Sequence, residues 1–427
     1  MSDMNSTTKQ AKQHILVVGN GAREHAIAWK LMQSPRVGRV SVAPGNGGTP
    51  NNVPIAVTDL DGLLAWAHSN RPDLTIVGPE VPLSLGLVDR FQAAGLRIFG
   101  PTRAAAQIES SKAFAKQFMR RHDIPTAPFE VFDDYRKVMG YLLINGDRTL
   151  AIKADGLAAG KGVYITNCAH DAEQAVKALM VDKVLGEAGT RIVIEEGLQG
   201  EEVSLLAFSD GKTVAPMLLA RDHKRALDGD RGANTGGMGA FSLAQDTIYE
   251  PFVRRVIEGL RADRIPFVGV LFAGLMLTQD GTYVLEFNAR FGDPETQVIL
   301  PLLKTDLLGV FEACVDGTLD QITLDWSDQT AATVVMASGG YPGAYETEKV
   351  ITGLDKVPSD VIVFHAGTRQ DGNRLLTSGG RVLSITGIGP DLQGALDRAY
   401  VGVEAVHFDK AHYRTDIGAK ALKGNMA

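Results

Sequence analysis

The first hundred residues repeat one order: an apolar run, a glycine turn, and then a helical or polar segment. The first apolar run, His14–Val18, ends at Gly19-Asn20-Gly21 and precedes a helical pattern over Ala22–Leu31. Two further runs, Arg39–Val42 and Leu74–Val77, also lead into glycine-containing turns. Continuous apolar strands followed by helices indicate a parallel sheet with helices on both faces. Ligands bind such sheets at the carboxyl ends of the strands, where these turns lie.

Composition excludes several classes of partner. The 427 residues predict two to four domains, at roughly 150 residues each. A net charge of −7 argues against bulk binding to nucleic acid or to an anionic membrane. No apolar stretch approaches the roughly 20 residues of a membrane span, and residues 1–13 lack the apolar core of a signal peptide. Two cysteines, Cys168 and Cys314, cannot form a disulfide framework and favour a reducing, cytoplasmic compartment.

The rest of the chain divides into a central and a terminal part. A helical pattern at about 110–122 and a proline-containing linker at 124–128 lead into a small α+β unit over 127–195. A second α+β piece follows over 196–325. Residues 331–427 read as a separate terminal domain whose apolar runs indicate a small mixed sheet. These runs are Ala332–Met336, Val361–His365 and Arg381–Ile385.

A glycine loop with a lysine on either side lies at residues 153–165, KADGLAAGKGVYI. It is not a Walker A loop, because only three residues separate the outer glycines and the second lysine, Lys161, is followed by glycine. Val163–Thr166 favours a strand after the loop. We interpret the loop as a flap over polyphosphate, since an unpaired Lys153 ammonium in a strand would be costly. Two solvated lysines are the alternative.

The most specific stretch is YVLEFNARFGDPETQ at residues 283–297. Because side chains alternate along a strand, Glu286 and Asn288 face one side. Two oxygen ligands suit magnesium, which typically takes one or two protein groups together with phosphates and water. Arg290 lies on the same face if the strand persists, where it can meet a carboxylate or a phosphoryl group. Packing alone does not explain so many charges on a strand.

Three further polar stretches have functional and structural interpretations. GNGARE at 19–24 lacks the third glycine of a dinucleotide fingerprint, so we expect a simpler phosphate there, or only a tight turn. The acidic turn after Ile192–Ile194 either holds a base and ribose hydroxyls or is solvated. Asp222–Arg225 and the glycine-rich Ala233–Gly239 bracket a loop that suits an anionic substrate, with a solvated charge run as the alternative.

Taken together, these motifs resemble those of the phosphoribosylamine–glycine ligase (glycinamide ribonucleotide synthetase) family, ATP-grasp enzymes of purine biosynthesis. The resemblance runs from residue 14 to about 385 in the family's order. The motifs are GNGAREHA, APGNGGT, TIVGPEVPL, SKAFAK, IKADGLAAGKGV, VIEEGLQGEE, DHKR, NTGGMGAF, EFNARFGDPETQ, GGYPGAY, FHAGT and GGRVL. Ala233 and Leu243 stand where the family usually has proline, which puts loop stiffness in doubt but not the chemistry.

The resemblance implies an α/β and α+β multidomain fold. The implied domains are a Rossmann-like N-terminal domain (1–105), an ATP-grasp domain (106–330) with a lid subdomain (about 127–195), and a small mixed α/β C-terminal domain (331–427). The implied reaction joins glycine to 5-phosphoribosylamine through glycyl phosphate, with ATP as co-substrate and Mg²⁺ as the metal, Mn²⁺ being an alternative. A monomer or weak dimer without nucleic-acid or membrane partners is expected.

The resemblance also assigns roles residue by residue. The reacting groups would be Arg290, Asp293 and Lys153, and the metal ligands Glu286 and Asn288. ATP would be bound by Lys112, Lys153, Gly156, Gly160, Lys161, Gly162, Glu195, Glu196, Leu198 and Glu202. The ribosylamine substrate would be bound by Gly19, Asn20, Gly21, Arg23, His25, Gly45, Asn46, Pro79, Glu80, Asp222, His223, Lys224, Arg225 and Asn234.

Three other functions remain as rivals. A different ATP-grasp ligase or carboxylase is disfavoured by DHKR, EFNARFGDPE and the C-terminal motifs. A nucleotide-responsive binding protein with an inactive site is disfavoured by the intact lysines and metal residues. A dinucleotide oxidoreductase is disfavoured by the incomplete glycine fingerprint.

Overall fold

The computed structural model describes residues 12–158 and 162–424. The N-terminal part is a four-stranded sheet in the order β2-β1-β3-β4, and all its pairings are parallel. This is the parallel sheet that the strand, glycine turn and helix order predicts. Its elements are β1 (Gln13–Gly19), α1 (Ala22–Leu31), β2 (Val37–Pro44), α2 (Leu60–Asn70), β3 (Leu74–Val77), α3 (Glu80–Ser84), α4 (Leu87–Ala93) and β4 (Ile98–Phe99).

A small second sheet, here called the lid sheet, follows two short helices, α5 (Gln107–Ser110) and α6 (Lys112–Arg121). The helical pattern predicted over 110–122 breaks at Ser111, whose hydroxyl caps α6 by accepting the N–H of Phe114 at 3.1 Å. The lid sheet has the antiparallel order β5-β8-β6-β7. Its elements are β5 (Phe129–Phe132), α7 (Tyr135–Asn145), β6 (Leu150–Ala154), β7 (Val163–Thr166), α8 (Ala169–Val176) and β8 (Ile192–Glu196).

A long sheet of ten strands forms the body of the molecule. It begins at β16 and β15 and continues through β9, β11 and β14. Helices α9 and α11 pack their apolar sides against opposite core clusters of this body. The elements up to residue 316 are β9 (Glu201–Asp210), β10 (Val214–Pro216), β11 (Ala220–Asp222), β12 (Arg225–Leu227), β13 (Arg231–Asn234), β14 (Gly239–Ser242), α9 (Glu250–Ala262), β15 (Val268–Thr278), β16 (Gly281–Asn288), α10 (Thr296–Ile299) and α11 (Leu307–Asp316).

The C-terminal strands extend this same sheet, since β17 pairs with β14 and continues through β22 to β19. The expected small mixed sheet is therefore wrong in two respects, because these strands belong to the ten-stranded sheet and their pairings are antiparallel. Pairing is antiparallel throughout, because β22 lies between β17 and β19 and runs opposite to both. The elements are β17 (Thr330–Ser338), β18 (Val350–Ile351), β19 (Ile362–His365), β20 (Thr368–Asp371), β21 (Arg374–Thr377), β22 (Arg381–Gly389), α12 (Leu392–Ala405), β23 (Ala411–His412) and α13 (Ala419–Leu422).

None of the helices in the described part of the chain is both long and apolar enough to cross a lipid bilayer.

Candidate active site

A cavity of about 930 Å³ is lined by residues of the N-terminal part, the lid sheet, the long sheet and the C-terminal segment. It brings together most of the residues that the sequence singles out, although they are spread over 270 positions of the chain. The predicted residues that line it are Arg23, Glu80, Lys112, Lys153, Gly162, Glu195, Glu196, Leu198, Glu202, Asp222, His223, Lys224, Arg225, Asn234, Glu286, Asn288, Arg290 and Asp293.

A second group of predicted residues lies outside the lining of this cavity. Most of them belong to the N-terminal turns. They are Gly19, Asn20, Gly21, His25, Gly45, Asn46, Pro79 and the first glycine of the flap, Gly156. Gly160 and Lys161 lie outside the described residues.

The two predicted metal ligands lie on β16. Glu286 and Asn288 lie on its cavity face, as the alternation predicts, and Phe287 between them is buried. Asn288 donates its amide N–H to the carbonyl of Phe287 at 3.1 Å, which leaves its side-chain oxygen for a ligand. Among the described residues, no side chain hydrogen-bonds or ion-pairs with the Glu286 carboxylate. Two such oxygens on one strand face fit Mg²⁺.

Cations surround Glu286 and set its charge state. Burial alone would raise the pKa of this carboxyl, but Lys112, Lys224 and Lys153 outweigh burial and lower it. Lys112 is the first residue of α6 and forms no ion pair with any described residue. The carboxylate is therefore ionised and lies among positive groups, the charge pattern that a metal-bound polyphosphate requires.

The sequence gives no protein partner for the Lys153 ammonium, but in the structure it has one. This ammonium lies 2.8 Å from Oε1 of Glu195, and it donates to the carbonyl of Leu285 at 3.3 Å. The sequence could not show this pair, because it depends on register. Lys153 is opposite Val193 in the β6–β8 ladder, so Glu195 is its diagonal neighbour on the same face.

Two of the three residues predicted to bind adenine, Glu195 and Glu196, have their carboxylates in ion pairs with other side chains. The Glu195 carboxylate is buried between Lys153 and Lys116 rather than turned to a base. Glu196 pairs with Arg148 at the surface, at 3.1 Å. Leu198 lines the cavity without a charged partner.

Arg290 reaches the cavity by a different route from the one the sequence predicts. The strand ends at Asn288, so the alternation does not carry on to Arg290. Instead Glu80 and Glu109 hold the guanidinium, each at 3.0 Å. Burial acts to raise the pKa of Glu80, but Arg290 and Arg23 outweigh it and lower that pKa to about 2.

Asp293 is paired with an arginine of the C-terminal part. Arg381, the first residue of β22, lies 2.9 Å from the Asp293 carboxylate and also donates to the carbonyls of Asp293 and Gly236, at 2.9 and 2.6 Å. Burial would raise the pKa of Asp293, and Arg381 together with Arg23 lowers it instead. Tyr341 accepts the N–H of Gly236 at 3.1 Å. These contacts fix the glycine-rich loop to the cavity wall.

The 222–225 segment, predicted to meet an anionic substrate, does not present three free positive charges. His223 is neutral, because burial lowers its pKa to about 4 and its Nε2 accepts the N–H of Gly418 at 3.1 Å. Lys224 forms an ion pair with Glu202, the predicted ribose acid. Burial raises the pKa of Asp222 to about 7, and nearby carboxylates add to the effect.

The N-terminal turn is packed around a buried carboxylate, Glu24. A Cβ on Gly19 would lie 2.2 Å from Glu24 Cγ, and one on Gly78 would lie 2.1 Å from Glu24 Oε1. Glu24 accepts the N–H of Gly21 at 2.7 Å, as the third residue of a capping box. It also pairs with Arg23 at 2.6 Å, which directs that arginine toward the cavity. The packing of Glu24 therefore requires glycine at positions 19 and 78, whether or not a ligand approaches these turns.

His25 and Asn46 connect the N-terminal turns to the C-terminal strand β19. His25 Nδ1 accepts the N–H of His365 at 2.8 Å, and Asn46 donates to the carbonyl of His365 at 2.8 Å and to that of Asn20 at 3.0 Å. Burial, followed by the nearby His365, lowers the pKa of His25 to about 3. The structure thus gives His25 and Asn46 a scaffolding contact.

Models of the phosphoribosylglycinamide synthetase family match this chain in three consecutive parts. The N domain matches residues 13–109, the ATP-grasp (A) domain residues 110–296 and the C domain residues 331–420. A phosphoribosylamine–glycine ligase of Ralstonia nicotianae is 50% identical, over 96% of this chain and 99% of that protein. This chain belongs to the phosphoribosylglycinamide synthetase family. It is a ligase of the ATP-grasp class.

Two more relatives extend the comparison. The trifunctional purine biosynthetic protein adenosine-3 of Gallus gallus is 50% identical over 96% of this chain, which spans 42% of the chicken protein. The crystal structure of a phosphoribosylamine–glycine ligase from Thermotoga maritima superposes with a TM-score of 0.84 at 32% identity, covering 95% of this chain and all of that one. Fold and family thus agree with the resemblance found in the motifs.

Sequence reasoning missed several polar residues that build this phosphoribosylglycinamide synthetase site. Glu24 could have been found, because a glutamate three residues after Gly21 at a helix start is a capping-box signal. Glu109 had no comparable signal, and Arg381 belonged to the GGRVL motif but had no assigned role, since each acts through a partner more than 80 positions away. The missed residues are Glu24, Glu109, Lys116, Arg221, Glu295, Tyr341 and Arg381.

Proposed function

We propose that this chain joins glycine to 5-phosphoribosylamine, giving glycinamide ribonucleotide, ADP and phosphate. The observation that carries the proposal is the Glu286 carboxylate, which has no partner among the described side chains and lies beside Asn288 and several lysines in a cavity bordered by the flap. Family membership supports ATP as the co-substrate. Phosphoryl transfer needs positioning and charge neutralisation rather than a protein nucleophile, which agrees with a site built from lysines, an arginine and oxygen ligands.

We place the nucleotide at the end of the cavity that the lid sheet lines, and call this the nucleotide end. Lys112 and Lys153 neutralise the phosphates, and the flap from Gly156 to Gly162 covers them. Leu198 and the backbone after Glu196 hold the base. Glu286 and Asn288 hold Mg²⁺, for which Mn²⁺ is a substitute with the same preference for oxygen ligands. The bound metal supplies charge neutralisation at the phosphates.

The acceptor end is assigned to the side of Arg290 and Asp293. Arg290, held by two carboxylates, orients the glycine carboxylate, whose oxygen attacks the γ-phosphorus of ATP and expels ADP. The amine of 5-phosphoribosylamine then attacks the carbonyl carbon of glycyl phosphate and expels phosphate, leaving an amide. A closed flap protects the acyl phosphate from water.

The ribosylamine itself is assigned to Arg23, to the 222–225 segment and to Asn234, which line the cavity. Gly19, Asn20, Gly21, Gly45 and Pro79 shape the neighbouring turns. His25 and Asn46 act one step removed, by fixing these turns to β19.

The organisation around the site is part of the proposal. We assign domains to 1–105, 106–330 with the lid at about 127–195, and 331–427, although the long sheet crosses the last boundary. Free Cys168 and Cys314 support a reducing compartment, the cytoplasm. A monomer or weak dimer is the proposed assembly.

The decisive experiment measures ADP release from magnesium-ATP with glycine and freshly generated 5-phosphoribosylamine, supplied together and then omitted singly. Release that requires both substrates supports the ligase. Release with glycine alone indicates another acyl acceptor or an uncoupled reaction. No release from a protein that still binds ATP contradicts the proposal and favours a nucleotide-responsive binding protein.

A further inference from the structure

A buried cluster of three charged side chains lies directly behind the nucleotide end of the cavity. Glu195 stands between two lysines, with Oε1 at 2.8 Å from Lys153 Nζ and Oε2 at 2.7 Å from Lys116 Nζ. The side chains of Lys116 and Glu195 are 3% and 2% exposed, so solvent hardly screens these contacts. We call these three residues the Lys–Glu–Lys cluster. Lys116 has no part in the proposed reaction.

The cluster is anchored to β16. Lys116 donates to the hydroxyl of Thr126 at 2.5 Å, and that hydroxyl donates to the carbonyl of Val284 at 2.7 Å, two residues before Glu286. The cluster therefore joins α6, the linker, the lid sheet and β16.

The two lysines both form an ion pair with Glu195 and differ in the acceptor of their hydrogen bond. The Lys153 contact with Oε1 is close but not aligned as a hydrogen bond, and Lys153 directs an N–H to the carbonyl of Leu285 instead. Lys116 donates to Thr126, and its side chain is 3% exposed, against 7% for Lys153. Burial and the charge of Lys153 lower the pKa of Lys116 to about 8, while Glu195 acts to raise it, so the lysine is mostly protonated at neutral pH.

Charge counting gives these contacts a function. Two ammonium groups and one carboxylate leave the cluster with one net positive charge, next to the cavity. Without Lys116, Glu195 would neutralise Lys153, and the cluster would offer no net charge to an anionic ligand. At short range in a poorly solvated site, one charge changes the binding of a polyphosphate substantially.

We infer that Lys116 is a positioning residue for nucleotide binding: it occupies one oxygen of Glu195, so that Lys153 keeps its positive charge for the phosphates. The inference rests on the proposed role of Lys153 at those phosphates. It does not depend on which acid or amine the enzyme joins.

The test is a charge-compensation cycle on the full chain, with magnesium-ATP affinity measured by titration calorimetry without glycine or 5-phosphoribosylamine. Lys116→Met should weaken ATP binding about tenfold, ~1.4 kcal/mol. Adding Glu195→Gln restores the net charge, and the double variant should bind within about threefold of the wild type. Circular dichroism melting checks that each variant folds.

Lys112→Met is the matched control, because Lys112 lies on the same helix without an ion pair to Glu195. It should weaken ATP binding, and adding Glu195→Gln should restore less affinity than it does for Lys116→Met, because the cluster in that background already carries a net positive charge. Wild-type affinity in Lys116→Met, or no recovery in the double variant, would overturn the inference. If Lys116→Met does not fold alone, the double variant decides by the same threefold criterion. Because ATP binding precedes ligation, loss of the ligase proposal would leave this result interpretable.

Discussion

The two ends of the cavity differ in whether their charged side chains form ion pairs. At the nucleotide end, Lys112 and Glu286 have no ion-pair partner among the described residues, although both line the cavity. At the acceptor end, Arg290 and Asp293 are paired with Glu80 and Arg381 at 3.0 and 2.9 Å. Unpaired charges are costly unless a ligand completes them, whereas paired charges hold each other and the backbone in place. The difference separates charges that only a ligand completes from charges that neighbouring side chains already hold in position, among which Lys153 also belongs.

The largest effect is expected at the nucleotide-end carboxylate. Glu286→Ala should lower kcat by about 10²–10³-fold or more, because the phosphates lose their metal-holding charge. The midpoint of thermal unfolding should change little, since Glu286 has no ion-pair partner to lose among the described residues. Steady-state ADP release and melting measure the two quantities. Wild-type turnover in this variant would remove the metal assignment.

At the acceptor end, where the charges are paired, removing one partner should lower both the free energy of unfolding and the activity. Arg381→Met leaves the partly buried Asp293 carboxylate without its ion-pair partner and with the Gln297 amide as a remaining donor, so the free energy of unfolding should fall by roughly 1–3 kcal/mol. Urea unfolding measures the loss, and Arg381→Met with Asp293→Asn should recover much of it because the lone charge is gone. Full stability in the single variant would mean that the pair does not hold the acceptor end.

A smaller effect is expected at Lys112. Lys112→Met should raise the KM for ATP about tenfold, ~1.4 kcal/mol, while leaving the unfolding free energy unchanged. Lys304, an exposed lysine outside the cavity lining, gives the control Lys304→Met, for which neither quantity should move. A Lys112→Met protein with wild-type KM and lower stability would place this lysine among the structural charges.

The smallest effect concerns the histidines behind the acceptor end. Burial lowers the pKa values of His25 and His365 to about 3 and about 4 in the folded protein. A depressed folded pKa contributes stability above the unfolded value near 6.5, and that stability is lost as the pH falls. Between about pH 7 and about pH 5.5 the loss should be about 1 kcal/mol per histidine. Urea unfolding at both pH values measures it.

The matched variant for the pH prediction is His25→Gln, whose side-chain oxygen can still accept the N–H of His365. Its stability should depend less steeply on pH over the same interval, with about two thirds of the loss remaining, because burial also lowers the pKa values of His365 and His223 to about 4. If the free energy of unfolding of His25→Gln depends on pH as steeply as that of the wild type, the loss arises from protonation of groups other than His25.

The sequence predicted what local patterns encode. The parallel N-terminal sheet follows from short apolar runs before glycine turns, and the common face of Glu286 and Asn288 follows from strand alternation. Lysines that flank a glycine cluster between two strands are typical of backbone that approaches a phosphate closely; of the residues chosen on this ground, Lys153 lines the cavity and Gly156 lies outside its lining.

Long-range pairing and register could not be predicted in the same way. Arg381 meets Asp293 only because β22 reaches the cavity wall, and Glu195 meets Lys153 only because of the β6–β8 register. The charge state of His223 depends on burial and on Gly418, which lies 195 positions away. Charge states at such positions belong to the folded molecule and not to the local sequence.

The continuity of the long sheet has a consequence for how this protein is made. A ribosome delivers β14 (Gly239–Ser242) well before its neighbour β17 (Thr330–Ser338). During that interval a nascent chain has an open row of backbone donors and acceptors, the kind of edge that pairs with other chains. Release of the polypeptide before residue 330 would therefore produce an aggregation-prone fragment rather than a smaller active enzyme.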